Sequence, residues 1–310
     1  MPSSAKAVAV PRSEGNSAFL RNTSPSRRSG APRDRQIPLD TALSGFSNVD
    51  SPYDDPRSLV NYLDKANSNE QVRFSKWQMI HRILHPNKGD HVLDLGCGLG
   101  HDTQAIARLF GRTGRVVGLD KSNVMIREAQ RRSRDLNLSL EFLLGDAQHL
   151  VLDDERFHKC IAVGVFMHLE RPTDGFSEVV RVLKPGGRLA VLEADWDTLV
   201  ITGGNSLAGR TIVNILRQSV RHSGIGHELP THFWQAGLEN IQVEAATLII
   251  SNYSLANTAW RIDKNVERAR RAGLVSNSQA KKLLQELALT DKAGLFLGTS
   301  TGFAVSGRKP

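Results

Sequence analysis

The sequence predicts an α/β fold, a mostly parallel β-sheet flanked by helices. Three observations predict it. Short apolar runs alternate with helix-patterned segments through the middle of the chain. The runs are apolar at nearly every position, as strands covered on both faces are. The first run opens into a glycine-rich turn that leads straight into a helical segment.

The elements follow in order. Residues 1–40 read as a disordered basic tail, rich in Ser, Pro, Gly and Arg and poor in large apolar groups, so ordering them would cost entropy that little burial offsets. The Arg- and Ser-rich start also fits an organelle-targeting peptide, against which the early Pro2 and Pro11 weigh. Residues 41–89 read as a helical lid, with Leu59, Val60 and Leu63 at helical spacing and then Val72, Phe74, Trp77, Ile80, Ile83 and Leu84. Pro86 to Gly89 break this pattern. Strands are expected at 91–95, 115–119, 141–144, 160–165 and 188–193, separated by helices at 102–110, 123–136 and 173–183. Beyond them come helices at 205–221 and 231–236, a strand at 241–250, helices at 255–272 and 278–289, and a last strand at 302–307. Ser276 and Gln279 have the spacing of a capping box. The domain proper is expected over 90–310, with helical insertions at about 197–228 and 254–290.

Composition excludes several classes. No apolar run approaches the roughly 18–20 residues that span a bilayer, and two cysteines, Cys97 and Cys160, cannot make a disulfide scaffold. Cys/His spacing for a metal is absent. The net charge of +8 is concentrated at the start: residues 1–36 hold seven basic groups and two acidic ones. The body is close to neutral, which argues against a nucleic-acid groove.

The residues that carry chemistry gather at strand ends. His91–Gly100 (HVLDLGCGLG) is a strand, a turn and the start of a helix, with glycines at 96, 98 and 100 where a ligand must approach the backbone. Asp120 closes the second strand, where an acid can accept both hydroxyls of a ribose, and Asp146 follows the third, where a carboxylate can meet an adenine amino group. Each aspartate alone could be a helix cap; together they lie on the carboxyl edge where such sheets bind ligands. A dinucleotide-binding protein would place its third glycine one position later.

The stretch Val92–Gly100 resembles the signature loop of class I S-adenosylmethionine-dependent methyltransferases, and Arg181–Gly187 (RVLKPGG) resembles that family's second signature. The version here is most similar to the ubiquinone/menaquinone-methylase-like, small-molecule branch. The resemblance is strong over about 90–195, weaker over 55–90 and 229–310, and absent from 1–40. It implies a seven-stranded, mostly parallel Rossmann-like sheet, with the N-terminal helices and a helical insertion between the last two strands as a cap. S-adenosyl-L-methionine would be the cofactor and S-adenosyl-L-homocysteine the product, with no metal.

The resemblance also implies roles. Gly96, Gly98 and Gly100, with Cys97 between them, would meet the methionine part of the cofactor and Asp94 its amino group. Asp120 would take the ribose, with Lys121 and Met125 flanking the adenosine. Asp146, Ala147 and Gln148 would address the adenine. Gly164, Val165 and Phe166 would line the methionine chain and face the substrate. Lys76 is a candidate for the cofactor carboxylate, or an exposed helix lysine. Cys97 and Cys160 also read as packing residues.

His168, just after the fourth strand, is the leading candidate base; its alternative is a structural cap. Glu193, Asp195 and Asp197 are the other candidates. Trp196 could stack on a substrate or be core. Tyr53, Phe74, Trp77, Trp260, Arg261 and His232 are candidates for substrate lining. The chain lacks an Asp/Asn-Pro-Pro-Tyr sequence after the fourth strand and a Pro-Cys setting for either cysteine, which argues against base-modifying DNA enzymes. The expectation is a cytoplasmic methyltransferase acting on oxygen, nitrogen or carbon of a small molecule. Its alternatives are an enzyme guided to RNA or protein by the tail, and a non-catalytic cofactor-binding protein.

Overall fold

The computed structural model describes residues 56–310 apart from 69, 86, 111, 112, 204 and 205. The tail and the first part of the expected lid, Tyr53 included, lie outside the described residues. Two helices, α1 (Pro56–Ser68) and α2 (Glu70–Leu84), precede the sheet. Then β1 (His91–Leu95), α3 (His101–Phe110), β2 (Arg115–Asp120), α4 (Asn123–Ser133), β3 (Leu140–Leu144) and β4 (Phe157–Val163) follow. A 3₁₀ turn at Phe166–His168 leads to α5 (Pro172–Val182) and β5 (Leu183–Ile201). The last third comprises α6 (Leu207–Arg217), α7 (Ile225–Gln235), β6 (Glu239–Ile250), α8 (Tyr253–Trp260), α9 (Ile262–Arg271), α10 (Asn277–Lys292) and β7 (Gly298–Arg308).

The sheet has seven strands in the order β3-β2-β1-β4-β5-β7-β6. β1 to β5 pair in parallel, and β7 runs antiparallel to both β5 and β6. Successive residues of β1 explain why the run had to be apolar throughout. Leu93 and Leu95 join the core under α5 and α7 with Val117, Cys160, Phe166 and Phe176, whereas Val92 joins the opposite core with Ile80, Ile83, Ile106 and Ile161. Each fully buried large side chain contributes roughly 1.5–3 kcal/mol. The strand order turns back between β1 and β4, so their carboxyl ends border a crevice, the position where open α/β sheets bind ligands.

The insertion between β6 and β7 forms a third core, in which Trp260, Ile262, Val266, Leu283 and Leu287 pack on Leu199, Ile212, Leu216 and Phe296. Trp260 lies directly over Gly298, where a side chain would collide with its ring. The capping box is present: Ser276 Oγ accepts from Gln279 N, and Gln279 Oε1 accepts from Ser276 N.

Several boundaries differ from expectation, three of them for a clear local reason. β5 continues to Ile201, past Asp195 and Asp197, because it regains pairing with β7 beyond an irregularity between Asp195 and Val200. α7 begins at Ile225, six residues before the expected start, and carries Pro230 inside it, a residue that ordinarily ends a helix. The expected helix over 255–272 is two helices, because Arg261 adopts a left-handed conformation (φ 53°) at their junction.

The two N-terminal helices divide their work. α2 covers the sheet through Ile80, Ile83 and Leu84. α1 reaches across to the insertion, where the Tyr62 hydroxyl donates to Ala259 O at 3.0 Å. Its Asp64 accepts from Arg132 Nη1 at 2.6 Å and lies 3.2 Å from His101 Nε2. Asp64 is 40% exposed, so this network holds the helix in place more than it stabilises the fold.

Candidate active site

The turn after β1 is tied to the end of β2. The amides of Gly96 and Cys97 both donate to Leu119 O, at 2.7 and 3.0 Å. The Gly98 amide donates to Asp120 Oδ2 at 2.9 Å, and Asp120 Oδ1 accepts from Ser122 N at 2.9 Å. Gly96 and Gly98 have φ of 69° and 50°, a conformation that disfavours a side chain. Ser122 then caps α4 by accepting from Met125 N. The sequence Gly-Cys-Gly together with the terminal aspartate of the next strand thus builds one rigid edge.

Above this edge is a cavity of about 580 Å³. Gly96, Gly98, Asp120, Lys121, Met125, Asp146, Ala147, Gly164, Val165 and His168 line its sheet side, and Trp196, Trp260 and Arg261 line its outer side. The structure therefore brings together most of the residues expected from the sequence. Gln148 stands just behind Asp146: its amide donates to Asp146 Oδ1 at 2.9 Å, and its Oε1 accepts from Arg171 N at 2.8 Å.

Several expected residues are placed elsewhere. Phe166 is fully buried and stacks on Phe176 at 4.1 Å, because the 3₁₀ turn rolls its ring into the core, away from the cavity. Gly100 is a packing glycine; a Cβ there would meet Phe142 at 2.7 Å and Ala129 at 3.2 Å. Cys97 belongs to the same small core, and burial raises its thiol well above the ordinary range. Lys76 is bound to Asp102 at 2.7 Å and Asn67 at 3.1 Å, outside the lining. Trp77 packs on the core beneath α2. His232 stacks on Phe176 at 5.3 Å, also away from the cavity. Nothing is described of the Phe74 side chain.

The acids have distinct environments. Asp94 is buried and accepts from Thr103 Oγ1 at 2.6 Å, joining β1 to the first turn of α3. Burial and the neighbouring Asp102 push its carboxyl up to about 7. Glu193 is fully buried behind the end of β4. Its Oε1 accepts from Val165 N at 2.8 Å and Phe166 N at 2.7 Å, and burial pushes it up to about 8. Its Oε2 has no hydrogen-bond partner among the described residues. Asp195 is bound to His227 Nδ1 at 2.5 Å and its amide at 3.0 Å, and Asp197 accepts from Ser223 Oγ at 3.0 Å. None of these four lines the cavity among the described residues. Glu193 instead fixes the loop that carries Val165.

His168 does line the cavity. Burial, with Lys121 and Arg221 nearby, pushes its imidazole down to about 4, so it is neutral at physiological pH. A phenol titrates near 10, so moving its proton to a group of this basicity is uphill by about 8 kcal/mol. The imidazole is therefore suited to accept a hydrogen bond, and ill suited to strip a proton.

The sequence reading missed Tyr62, Leu63, Ser219, Val220, Ala259 and the α9 side chains Lys264, Asn265, Glu267, Arg268 and Arg271, all of which line the cavity. Only α9 carried a signal, its basic residues recurring at helical spacing. Among the described residues there is no group of three or more His, Cys, Asp or Glu placed to hold a metal ion, and no helix long and apolar enough to cross a membrane.

Residues 86–259 match a family described as a methyltransferase domain. An uncharacterised 37.1 kDa protein of transposon TN4556 from Streptomyces fradiae is 32% identical over 247 residues, covering 79% of this chain and 70% of that one. A demethylmenaquinone methyltransferase of Lactobacillus johnsonii is 34% identical over 156 residues, covering 49% of this chain and 60% of that one. The YcgJ protein of Bacillus subtilis has the same fold, with a TM-score of 0.52 at 19% identity over 76% of this chain and 98% of its own. With the matched segment spanning more than half of its length, the chain belongs to the methyltransferase-domain family.

Proposed function

We propose that this protein transfers a methyl group from S-adenosyl-L-methionine to an oxygen, nitrogen or carbon of a small molecule, in the cytoplasm. The observation that carries the reading is the Asp120 carboxylate, held by two backbone amides at the cavity edge beside an open, left-handed glycine turn. The residues present fit the cofactor. A Cβ at Gly98 would stand against Leu63, and one at Gly164 against Met167, both lining residues, so the missing side chains leave cavity space. The relative named as a demethylmenaquinone methyltransferase supports a small acceptor.

The cofactor supplies a methyl group already activated on a sulfonium. The chain's own task is to bind, align and exclude water. Asp120 takes the ribose hydroxyls, with Lys121 and Met125 at the flanks. Asp146 and Ala147 close the adenine end. Gly96, Gly98, Gly164 and Val165 form the floor along the methionine chain. Asp94 and Glu193 act beneath it as positioning residues. His168 accepts a hydrogen bond from the acceptor and orients its nucleophile. Tyr62, Trp196 and Trp260 shield the mouth from water.

The test incubates the full chain with methyl-labelled S-adenosyl-L-methionine and an extract of small metabolites, followed by mass spectrometry. A metabolite gaining one labelled methyl, with S-adenosyl-L-homocysteine in equal amount, is the expected result. Label found only in RNA or protein, or nowhere, would overturn the reading.

A further inference from the structure

Trp196 reaches the cavity from a break in the sheet. Residues 196–199 of β5 stand opposite Ser300 alone on β7, because pairing stops at Asp195 and Thr301 and resumes at Val200 and Thr299. An irregularity of this kind re-aims a side chain. Here Trp196 lines the cavity, while Leu199 is buried in the insertion core. Asp195 folds the break. Its carboxyl is fully buried and takes three N–H groups: the amide of Asp197 at 3.0 Å on Oδ1, and the amide and Nδ1 of His227 at 3.0 and 2.5 Å on Oδ2. Its carbonyl accepts from Thr198 Oγ1 at 2.6 Å, and the same hydroxyl accepts from Thr301 N at 2.7 Å, standing in for the strand pairing lost there. Trp196 itself is held at main chain and ring. Its amide donates to Ser223 O at 2.8 Å, its carbonyl accepts from Arg217 Nε at 3.2 Å, and its indole N–H donates to Met167 Sδ at 3.4 Å.

We propose that Asp195 is a positioning residue for the methyl acceptor, acting through Trp196: the break it folds presents the indole as a platform for an apolar face of that molecule. This rests on the proposed function and narrows its substrate class. The indole's one hydrogen-bond donor is engaged by Met167 Sδ, so Trp196 offers a ligand apolar surface and no polar handle. Contact with an aromatic face adds to simple burial, by roughly two- to tenfold in affinity. A ring held in place beforehand also avoids the entropy cost of ordering it when the ligand arrives. Among the described residues that line the cavity Asp195 is absent, so its influence on a ligand passes through the residue it orients. Asn in its place could not serve all its donors, because the amide nitrogen would face one of them with a second donor.

The test is a double-substitution cycle on the full chain, with the neutral dye N-phenyl-1-naphthylamine as the probe. Trp196→Leu and Asp195→Asn should each weaken the dye, roughly two- to tenfold, and the double variant should bind it no more weakly than Trp196→Leu alone, because Asp195 acts through Trp196. Losses that multiply, or a dye affinity that either single variant leaves unchanged, would overturn the proposal. Labelling with 5-fluorotryptophan supplies a second reading, the fluorine signals of Trp196 and Trp77 being those lost in Trp196→Phe and Trp77→Phe. In Asp195→Asn the Trp196 signal should move toward its position in the urea-unfolded chain, while that of Trp77, packed beneath α2, stays in place. An unmoved Trp196 signal would overturn the proposal as well. Should Asp195→Asn unfold and displace Trp77 too, Thr198→Val, which removes the hydroxyl between Asp195 O and Thr301 N, takes its place in the cycle with the same expected and contrary results. S-adenosyl-L-homocysteine titrated in parallel keeps the two readings apart: its failure to bind removes the methyltransferase reading, while its binding beside a dye indifferent to Trp196 removes the platform alone.

Discussion

Replacing Gly96 by alanine tests how the turn after β1 is built. Gly96 has φ of 69°, and a side chain in that region costs about 1–2 kcal/mol. The new methyl would also overlap Cγ2 of Val165, which Glu193 holds in place through the Val165 amide. Overpacking of this kind costs about 1–3 kcal/mol. The expected loss is therefore about 2–5 kcal/mol of unfolding free energy, read by urea denaturation. Gly98 is the internal control: its φ is 50°, but a Cβ there would meet only Leu63, at an ordinary 3.6 Å, so Gly98→Ala should lose the conformational part alone. In a Val165→Ala background the cost of Gly96→Ala should fall to that of Gly98→Ala. Equal destabilisation by the two single substitutions, or no recovery in the Val165→Ala background, would refute the packing argument.

Two further outcomes concern titration. Glu193 is raised from its ordinary 4.5 to about 8, so its contribution to stability is fully present below about pH 4.5 and is lost as pH rises through 8. Glu193→Gln keeps an acceptor for the Val165 and Phe166 amides and cannot ionise, so between pH 5 and 8 it should flatten the pH dependence of stability by up to about 1.4 kcal/mol per unit; an unchanged slope in urea titrations would show that the fold does not hold Glu193 protonated through that window. His168, lowered to about 4, gives no inflection of kcat/KM near 6.5, and His168→Gln, which still offers an acceptor, should stay within about tenfold of the parent across pH 6–9. A limb near 6.5 that vanishes in this variant would restore the general-base role.

The inner fold was legible because its physics is local. β1, β2 and β4 are buried on both faces, and such strands must be written as continuous apolar runs. The turn was legible because left-handed backbone selects glycine, and Asp120 lies at the end of the next strand, where the fold bonds it to that turn through the Gly98 amide. What failed depended on distant partners. β5 runs through Asp195 and Asp197 because β7, a hundred residues away, pairs with it again beyond the irregularity. Phe166 turns inward because Phe176 receives its ring. His168 reads as a base by position, and its burial, which lowers its basicity, is visible only in the fold. Tyr62 entered the site through one bond to Ala259 across the cavity mouth, a contact no spacing announces. The α9 row is the opposite case: its periodicity was visible, but only the fold shows that it faces the cavity rather than solvent.

Isothermal calorimetry of S-adenosyl-L-homocysteine against the full chain and its Asp120→Ala variant bears most directly on the proposed adenosyl site. The expected result is saturable binding of one equivalent by the parent, weakened about 30-fold or more in the variant, the equivalent of about 2 kcal/mol or more from a lost charge-assisted contact and a loosened Gly98 amide. No heat of binding in the parent, or equal affinity in the two proteins, would contradict the assignment of Asp120 and the turn it holds.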